Sequence, residues 1–318
     1  MGSNIRDEIT QQIIDAIEAG TPPWRRGWSS PELHHNIRTG QAYKGVNQLL
    51  LGLTPYSDGR WLTFKQAEVM GVKIKKGSKG HRIVKMVEVD RSRAATEQDA
   101  EVLAEDKGKA LVMKGYVVFN AEQIDGLPAL PRRTTNQVEP VAAVDAVIEG
   151  MRGTGLTVQY GGGQPAYAPL ADAVRMPMPD RFHTSQDYAA TMLHELSHAS
   201  GHQSRLNRLN LYARFGSEEY AREELRAELA SALLGAQLGV PMASTMMESH
   251  ASYVANWLTV LKRDKNEIFR AAADAQKIAD YLAKWAIGPT AQSEQHASHT
   301  AATESHQAES TVAARMRR

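Results

Sequence analysis

The sequence predicts an α+β protein of two domains. Three observations carry that reading. The chain has 318 residues, of which 42% are hydrophobic, enough for about two ordinary cores. Short strand-like runs and longer helix-like runs are mixed along it, punctuated by Gly and Pro. The net charge of +1 hides an asymmetry: residues 1–94 hold 15 Lys and Arg against 9 Asp and Glu, and the remainder holds 22 against 27. A basic front joined to an acidic rear implies two jobs.

The elements follow in order. Ile5–Ala19 reads as a helix with Ile9, Ile13, Ile14 and Ile17 on one face, ended by Gly20-Thr21-Pro22-Pro23. A leucine-rich segment, Gln48–Leu53, comes next. Arg60–Ala67 reads as a strand turning into a helix. Val72–Ile83 reads as a basic hairpin-like segment around Gly77 and Gly80. Val84–Val89 and Leu111–Phe119 read as strands, with the charged stretch Asp90–Lys109 as an exposed excursion between them. Asn120–Leu130 is irregular.

The predicted division is a front domain over 1–130, a linker over 131–139, a rear domain over 140–287 and a disordered tail over 288–318. The tail is Ala, Ser, Thr, Gln, Glu and His with little to bury, so its three histidines read as solvated. In the rear domain Val141–Gly150 is helical. Thr157–Tyr160, Ala166–Ala168 and Ala173–Met176 read as a small sheet. Helices are expected at Gln186–Ala199, Ser217–Leu238, Ala243–Arg263 and Lys265–Ala286.

The first of these four helices carries the chemistry. His194-Glu195-Leu196-Ser197-His198 fits H-E-x-x-H. Residues i and i+4 of a helix share a face, so two imidazoles there can share one tetrahedral Zn²⁺, each about 2.0–2.1 Å away. Glu195 then lies beside the open position, placed to take a proton from attacking water and return it to a leaving amine. The run from Gln186 to Ala199 lacks Gly and Pro, Ser185 can cap it, and Gly201 can stop it. With no Cys in the chain, a third ligand must be another His or an acid. Glu224 is the expected ligand and Glu228 the acid that holds a ligating imidazole from outside, with Glu223 beside them. His202 is a rival third ligand. Tyr220 or Tyr212 is a candidate for steadying an oxyanion. The strand Ala173–Met176 is a candidate edge for an extended substrate.

The front half has the makings of a single-strand binder: aromatic rings for bases among cations for phosphates. The candidates are Trp24, Arg25, Arg26, Trp28, Arg38, Tyr43, Lys44, Arg60, Lys65, Lys75 and Lys76. Trp61 and Phe64, in a strand-like context, read as core.

Three pieces together resemble the ArdC-type antirestriction proteins of conjugative plasmids: PPWRRGW with TGQAYKGVN and RWLTFKQA, then DYAATMLHELSHASGH, then YAREELRAELASALL. The resemblance spans nearly all of residues 5–285. It implies a front domain that binds single-stranded DNA and is shared with plasmid primases. It implies a zincin-like metallopeptidase domain behind it, with His194, His198 and an acid of the EELRAE segment on the metal and Glu195 as base. It also implies protection of incoming plasmid DNA from host restriction during conjugation. The implied cofactor is Zn²⁺ or another divalent metal such as Mn²⁺. The implied partners are single-stranded DNA and a protein substrate.

Composition narrows the field further. No run of 18 apolar residues suggests a membrane span, and no signal-peptide core opens the chain, so a cytoplasmic site is expected. The absence of Cys excludes disulfides and thiolate zinc sites. A non-enzymatic single-strand-coating protein with a structural or vestigial metal site is the alternative. A primase or nuclease role lacks a cluster of acids suited to two-metal nucleotidyl transfer.

Overall fold

The computed structural model describes residues 5–20, 22, 33–90, 100–101, 109–128, 140–208, 216–240 and 251–286. Trp24, Arg25, Arg26, Trp28, Tyr212, the linker 131–139 and the tail from 288 lie outside them.

The front half is an antiparallel-dominated sheet with short helices packed against it. Helix α1 (Ile5–Glu18) buries the expected isoleucine stripe. Strand β1 (His35–Asn36), helix α2 (Val46–Gly52), strand β2 (Arg60–Thr63) and helix α3 (Phe64–Val69) follow. Then come β3 (Lys73–Ile74), β4 (His81–Asp90), β5 (Ala100–Glu101), β6 (Lys109–Asn120) and β7 (Ile124–Asp125). The sheet order is β1-β2-β6-β4, with β5 also on β6. Strand β6 is long enough to pair β4 along its whole length and β2 at its far end.

Two expectations fail here, for identifiable reasons. The basic segment 72–83 is not a hairpin, because β3 pairs with β7 and β4 pairs with β6. Phe64 is not core: it is 61% exposed, whereas Trp61 is fully buried. The sheet is covered on both faces at β2. Trp61 packs with Leu51 and Val118 on one side, and Leu62 with Ala67 and Ile124 on the other. Thr63 then opens α3 with a reciprocal cap to Gln66, which leaves Phe64 on the solvent side of the first turn.

The rear half is helical around a small sheet. Helix α4 (Pro140–Arg152) precedes β8 (Thr157–Tyr160), β9 (Ala166–Ala168) and β10 (Ala173–Met176). These three strands fall where the sequence places them. Their order is β8-β10-β9, so β10 is the centre strand and β9 an edge. The edge expected at Ala173–Met176 is therefore corrected to Ala166–Ala168: β10 already has partners on both sides, parallel β8 and antiparallel β9. Four helices complete the half: α5 (Ser185–Ala199), α6 (Glu218–Leu238), α7 (Ala251–Arg263) and α8 (Glu267–Ala286). Gly150 is the close-approach point of α4, since a Cβ there would lie 2.6 Å from the Trp285 Cβ of α8.

The two halves share a core. The isoleucines of α1, with Leu49, Leu50, Val84 and Met113, belong to the same buried cluster as α4 to α8. Polar contacts fix the seam. Thr10 Oγ1 donates to the Lys265 carbonyl at 2.7 Å, and the Gly45 amide donates to Gln276 Oε1 at 3.1 Å. Lys44 pairs with Asp280, and Lys262 with Glu18.

Candidate metal centre

Helix α5 is buried along nearly its whole length, and its sequence is built for that. Thr184, rather than Ser185, caps it, accepting from the Asp187 amide at 3.0 Å. Its buried hydroxyls are satisfied within the helix: Thr191 donates to the Asp187 carbonyl at 2.8 Å and Ser197 to the Leu193 carbonyl at 2.7 Å. Apolar Ala189, Met192, Leu193 and Leu196 face the core. That fixes the direction in which His194, Glu195 and His198 point.

Helix α6 crosses α5 and is capped by Ser217, which accepts from the Tyr220 amide. It brings three acids to the histidine pair. His194 Nε2 and His198 Nε2 lie 3.1 Å apart. The Glu224 carboxylate spans them, with Oε2 at 3.6 Å from His194 Nε2 and Oε1 at 3.5 Å from His198 Nε2. The far nitrogens face the other two acids: His198 Nδ1 is 3.0 Å from Glu223 Oε1, and His194 Nδ1 is 3.8 Å from Glu228 Oε2. Positions 223 and 224 diverge by about 100° around a helix, and 228 lies one turn beyond 224, so one helix reaches both sides of both rings.

This donor set fits a divalent cation. If the far nitrogens donate to Glu223 and Glu228, each Nε2 presents a lone pair, and the two lone pairs face one another. A cation between them removes that conflict. A tetrahedral ion with ligands at about 2.0–2.1 Å requires ligand separations of about 3.3 Å. The observed 3.1, 3.5 and 3.6 Å bracket that value. Among the described residues, one atom each from His194, His198 and Glu224 forms the cluster able to hold a metal.

The electrostatics agree. Burial alone lowers the pKa of His194, but the hydrogen bond and charge of Glu224, with Glu195 and Glu228, outweigh it and hold the ring up at about 9. Burial raises Glu224, yet the two histidines bring it down to about 2. Positive charge is thus strongly favoured between these groups. Glu195, 6% exposed, is different. Burial pushes its carboxyl up, against the pull of His194, His198 and the backbone amide of Tyr167. A buried carboxylate raised in this way is suited to exchanging a proton.

Several supporting residues were not legible in the sequence. Arg208 pairs with Glu223 and also donates to the Ser197 carbonyl, tying the acid that holds His198 to the end of α5. Arg205 donates to the Ala199 carbonyl at 2.7 Å and pairs with Asp172, whose Oδ1 accepts from the Tyr167 hydroxyl. Both arginines come from an irregular segment with no periodic signal. Tyr220 hydrogen-bonds Glu224 and so steadies the acid. His202 turns away from the cluster, with Nδ1 2.8 Å from Ser204 Oγ and 3.7 Å from Asp172 Oδ2.

The front-half candidates separate into two kinds. Arg38, Lys65 and Lys76 are exposed. Lys75 is exposed but donates to the Glu122 carbonyl at 2.8 Å, and Lys44 is engaged with Asp280. Arg60 is held by Asp58 and donates to the Pro128 carbonyl, so its charge is neutralised beside the protein. Tyr43 is half-buried, accepts from Asn36 and packs on the Trp61 core. Arg60 and Tyr43 thus both have partners within the fold.

Known proteins resemble this chain across both halves. Residues 3–119 match the N-terminal domain of the anti-restriction factor ArdC, and residues 143–274 match a zincin-like metallopeptidase family, MPTase-PolyVal. The metal-free crystal structure of antirestriction protein ArdC from plasmid R388 is 37% identical, superposes with a TM-score of 0.71, and pairs 89% of this chain with 98% of that one. The chain belongs to the ArdC antirestriction family. A Mn(II)-bound structure of R388 ArdC gives a TM-score of 0.72 at 35% identity over 90% of this chain and all of that one. The DNA primase TraC of Escherichia coli is 37% identical over 290 residues, 87% of this chain but 27% of the primase. The chain thus spans about a quarter of that relative's length. ArdC membership accounts for both halves at once, the front sheet and the zincin-like rear domain. Among the described residues no helix is long and apolar enough to cross a membrane.

Proposed function

We propose that this chain is a cytoplasmic antirestriction protein of conjugation that holds single-stranded DNA with its front half and hydrolyses a protein substrate at a divalent-metal site in its rear half. The observation that carries the second part is the pair of facing Nε2 atoms spanned by Glu224. His194, His198 and Glu224 are the ligands, for Zn²⁺ or Mn²⁺. Glu223 and Glu228 hold the two rings from outside. A divalent cation held there supplies Lewis acidity, polarising a carbonyl and making water acidic enough to attack near neutral pH.

The chain's own groups do the rest. Glu195 takes the proton from the attacking water and returns it to the leaving amine. The Tyr167 amide orients that carboxylate, and the edge strand β9, which carries Tyr167, offers its unpaired side to an extended peptide. The front half binds the single strand through exposed cations such as Arg38, Lys65, Lys75 and Lys76, with Trp24, Arg25, Arg26 and Trp28 as further candidates.

Glu195→Ala tests the reading. It is expected to retain metal and DNA and to lose peptide cleavage and restriction protection. Protection that survives this change intact would instead support a strand-coating protein whose metal is structural.

A further inference from the structure

Helices α1 and α3 leave a window between them on one face of the front sheet. Paired residues on antiparallel strands, and residues two apart on one strand, point to the same face. On this face β6 presents Met113, Gly115, Val117 and Phe119, and β4 presents Arg82 and Val84. One end is closed by α1. Val84 and Met113 lie in the buried cluster with its isoleucines, Ile5 Cδ1 is 2.8 Å from where a Cβ on Gly115 would stand, and Arg82 pairs with Glu8. The other end is closed by α3, where Leu62 and Phe119 pack with Ala67 and Ile124. Between these ends Val117 is 51% exposed.

Phe64 stands at the rim of the window. It follows Thr63, which is paired with Val118, so the chain brings Phe64 level with Val117. A Cβ on Gly80 would collide with Val117 Cγ1 and lie 3.1 Å from the Phe119 ring, so the floor is flat at the start of β4. Adjacent large apolar groups left in water mark a contact surface. Cations flank this one. Lys65 follows Phe64 and Lys79 precedes Gly80; both are exposed, and neither is ion-paired among the described residues. Arg38 is held nearby: its amide donates to Asn36 Oδ1 at 3.1 Å, and Asn36 Nδ2 donates to Gln66 Oε1 at 2.9 Å, in the first turn of α3. One exposed acid, Glu68, lies a turn after Phe64 on the same helix face.

We propose that Phe64 is a stacking platform for single-stranded DNA, with an unpaired base lying on its ring and against Val117, and the flanking phosphates over Lys65 and Lys79. The inference rests on the single-strand reading above. It assigns Phe64, Val117 and Lys79, which the front-half candidates did not include. An exposed ring between cations matches a base between its phosphates, whereas an apolar peptide would have no use for the charges. A platform needs a base whose face is free, so a single strand suits the site and a duplex does not. Glu68 opposes the strand's charge and limits its affinity.

The test is fluorescence anisotropy of the full chain with labelled oligo-dT across a salt series. Phe64→Ala and Phe64→Leu are each expected to weaken binding about fivefold or more, and Phe64→Tyr to keep parent affinity, because a ring stacks and a branched alkyl group does not. Joint Lys65→Ala and Lys79→Ala is expected to flatten the slope of log affinity against log salt by about 1.4, two phosphates' worth. Glu68→Gln is expected to tighten binding. The melting temperature of Phe64→Ala should match the parent, since most of that ring is in water, which separates docking from a structural role. If the parent binds oligo-dT and the Phe64 and lysine variants keep its affinity and slope, the platform is wrong while the single-strand reading stands. Parent affinity in Phe64→Leu alone, or equal competition by duplex, also overturns it. A parent that binds no single strand overturns both.

Discussion

The metal cluster and the front sheet use charge in opposite ways. In the rear half two helices bring three carboxylates and two imidazoles into one buried spot, where each charge is answered by another at 3.0–3.8 Å. In the front half charge is spread over exposed strands and turns, and part of it is absorbed by the fold itself, as Arg60 is by Asp58 and Lys44 by Asp280. The lesson is that a short spacing motif predicts a buried site well, because i, i+4 geometry leaves little freedom. A count of basic residues predicts a binding surface poorly, because each cation has local carboxylates competing for it.

The largest effect that can break this contrast is at the metal. His194→Ala is expected to lose stoichiometric zinc or manganese in metal analysis of the purified protein. Retained stoichiometric metal would refute the cluster. Next is pH. Metal must displace the proton that His194 otherwise holds up to about 9, so affinity measured by titration calorimetry should rise about tenfold per pH unit below that value and level off above it. The same raised pKa has a second consequence for the metal-free chain. Stability from this group is fully present below 6.5 and is lost as pH rises through about 9, so the apo melting temperature should fall across that window.

Breaking buried charge away from the site should act on stability alone. Glu267 is 1% exposed and pairs with Arg226, so Glu267→Ala is expected to cost roughly 3–5 kcal/mol in denaturant unfolding. Arg208→Ala frees Glu223 from its clamp and should weaken metal binding by about 10–100-fold with the fold intact. The smallest effect sharpens the front-half side. Arg60→Ala should destabilise by about 2 kcal/mol through its lost bonds to Asp58 and Pro128. It should leave single-strand affinity nearly unchanged, and a large loss of affinity would mean that Arg60 does reach DNA.

The shared core also changes what a deletion reports. Removing residues 1–130 would strip α1 from α7 and expose the cluster that holds α5 and α6 in place. Loss of DNA binding in that variant would not isolate a domain, whereas single changes at exposed residues such as Arg38 or Lys65 keep the core whole.

Sequence by itself determined the α+β class, the three strands of the rear sheet, helices α1, α5 and α6 to within a residue or two at each end, and His194, Glu195 and His198 as one chemical unit. These are local properties: apolar period, caps and a four-residue spacing fix them before the chain folds. Tertiary structure decided which ring each acid meets, Glu223 at His198 and Glu228 at His194 with Glu224 across both, since that depends on how the second helix crosses the first. It also decided that β10 is central, that Phe64 is outside and Trp61 inside, and that Arg205 and Arg208 support the site. Each of those outcomes depends on partners distant in sequence, and no local pattern encodes which partner arrives.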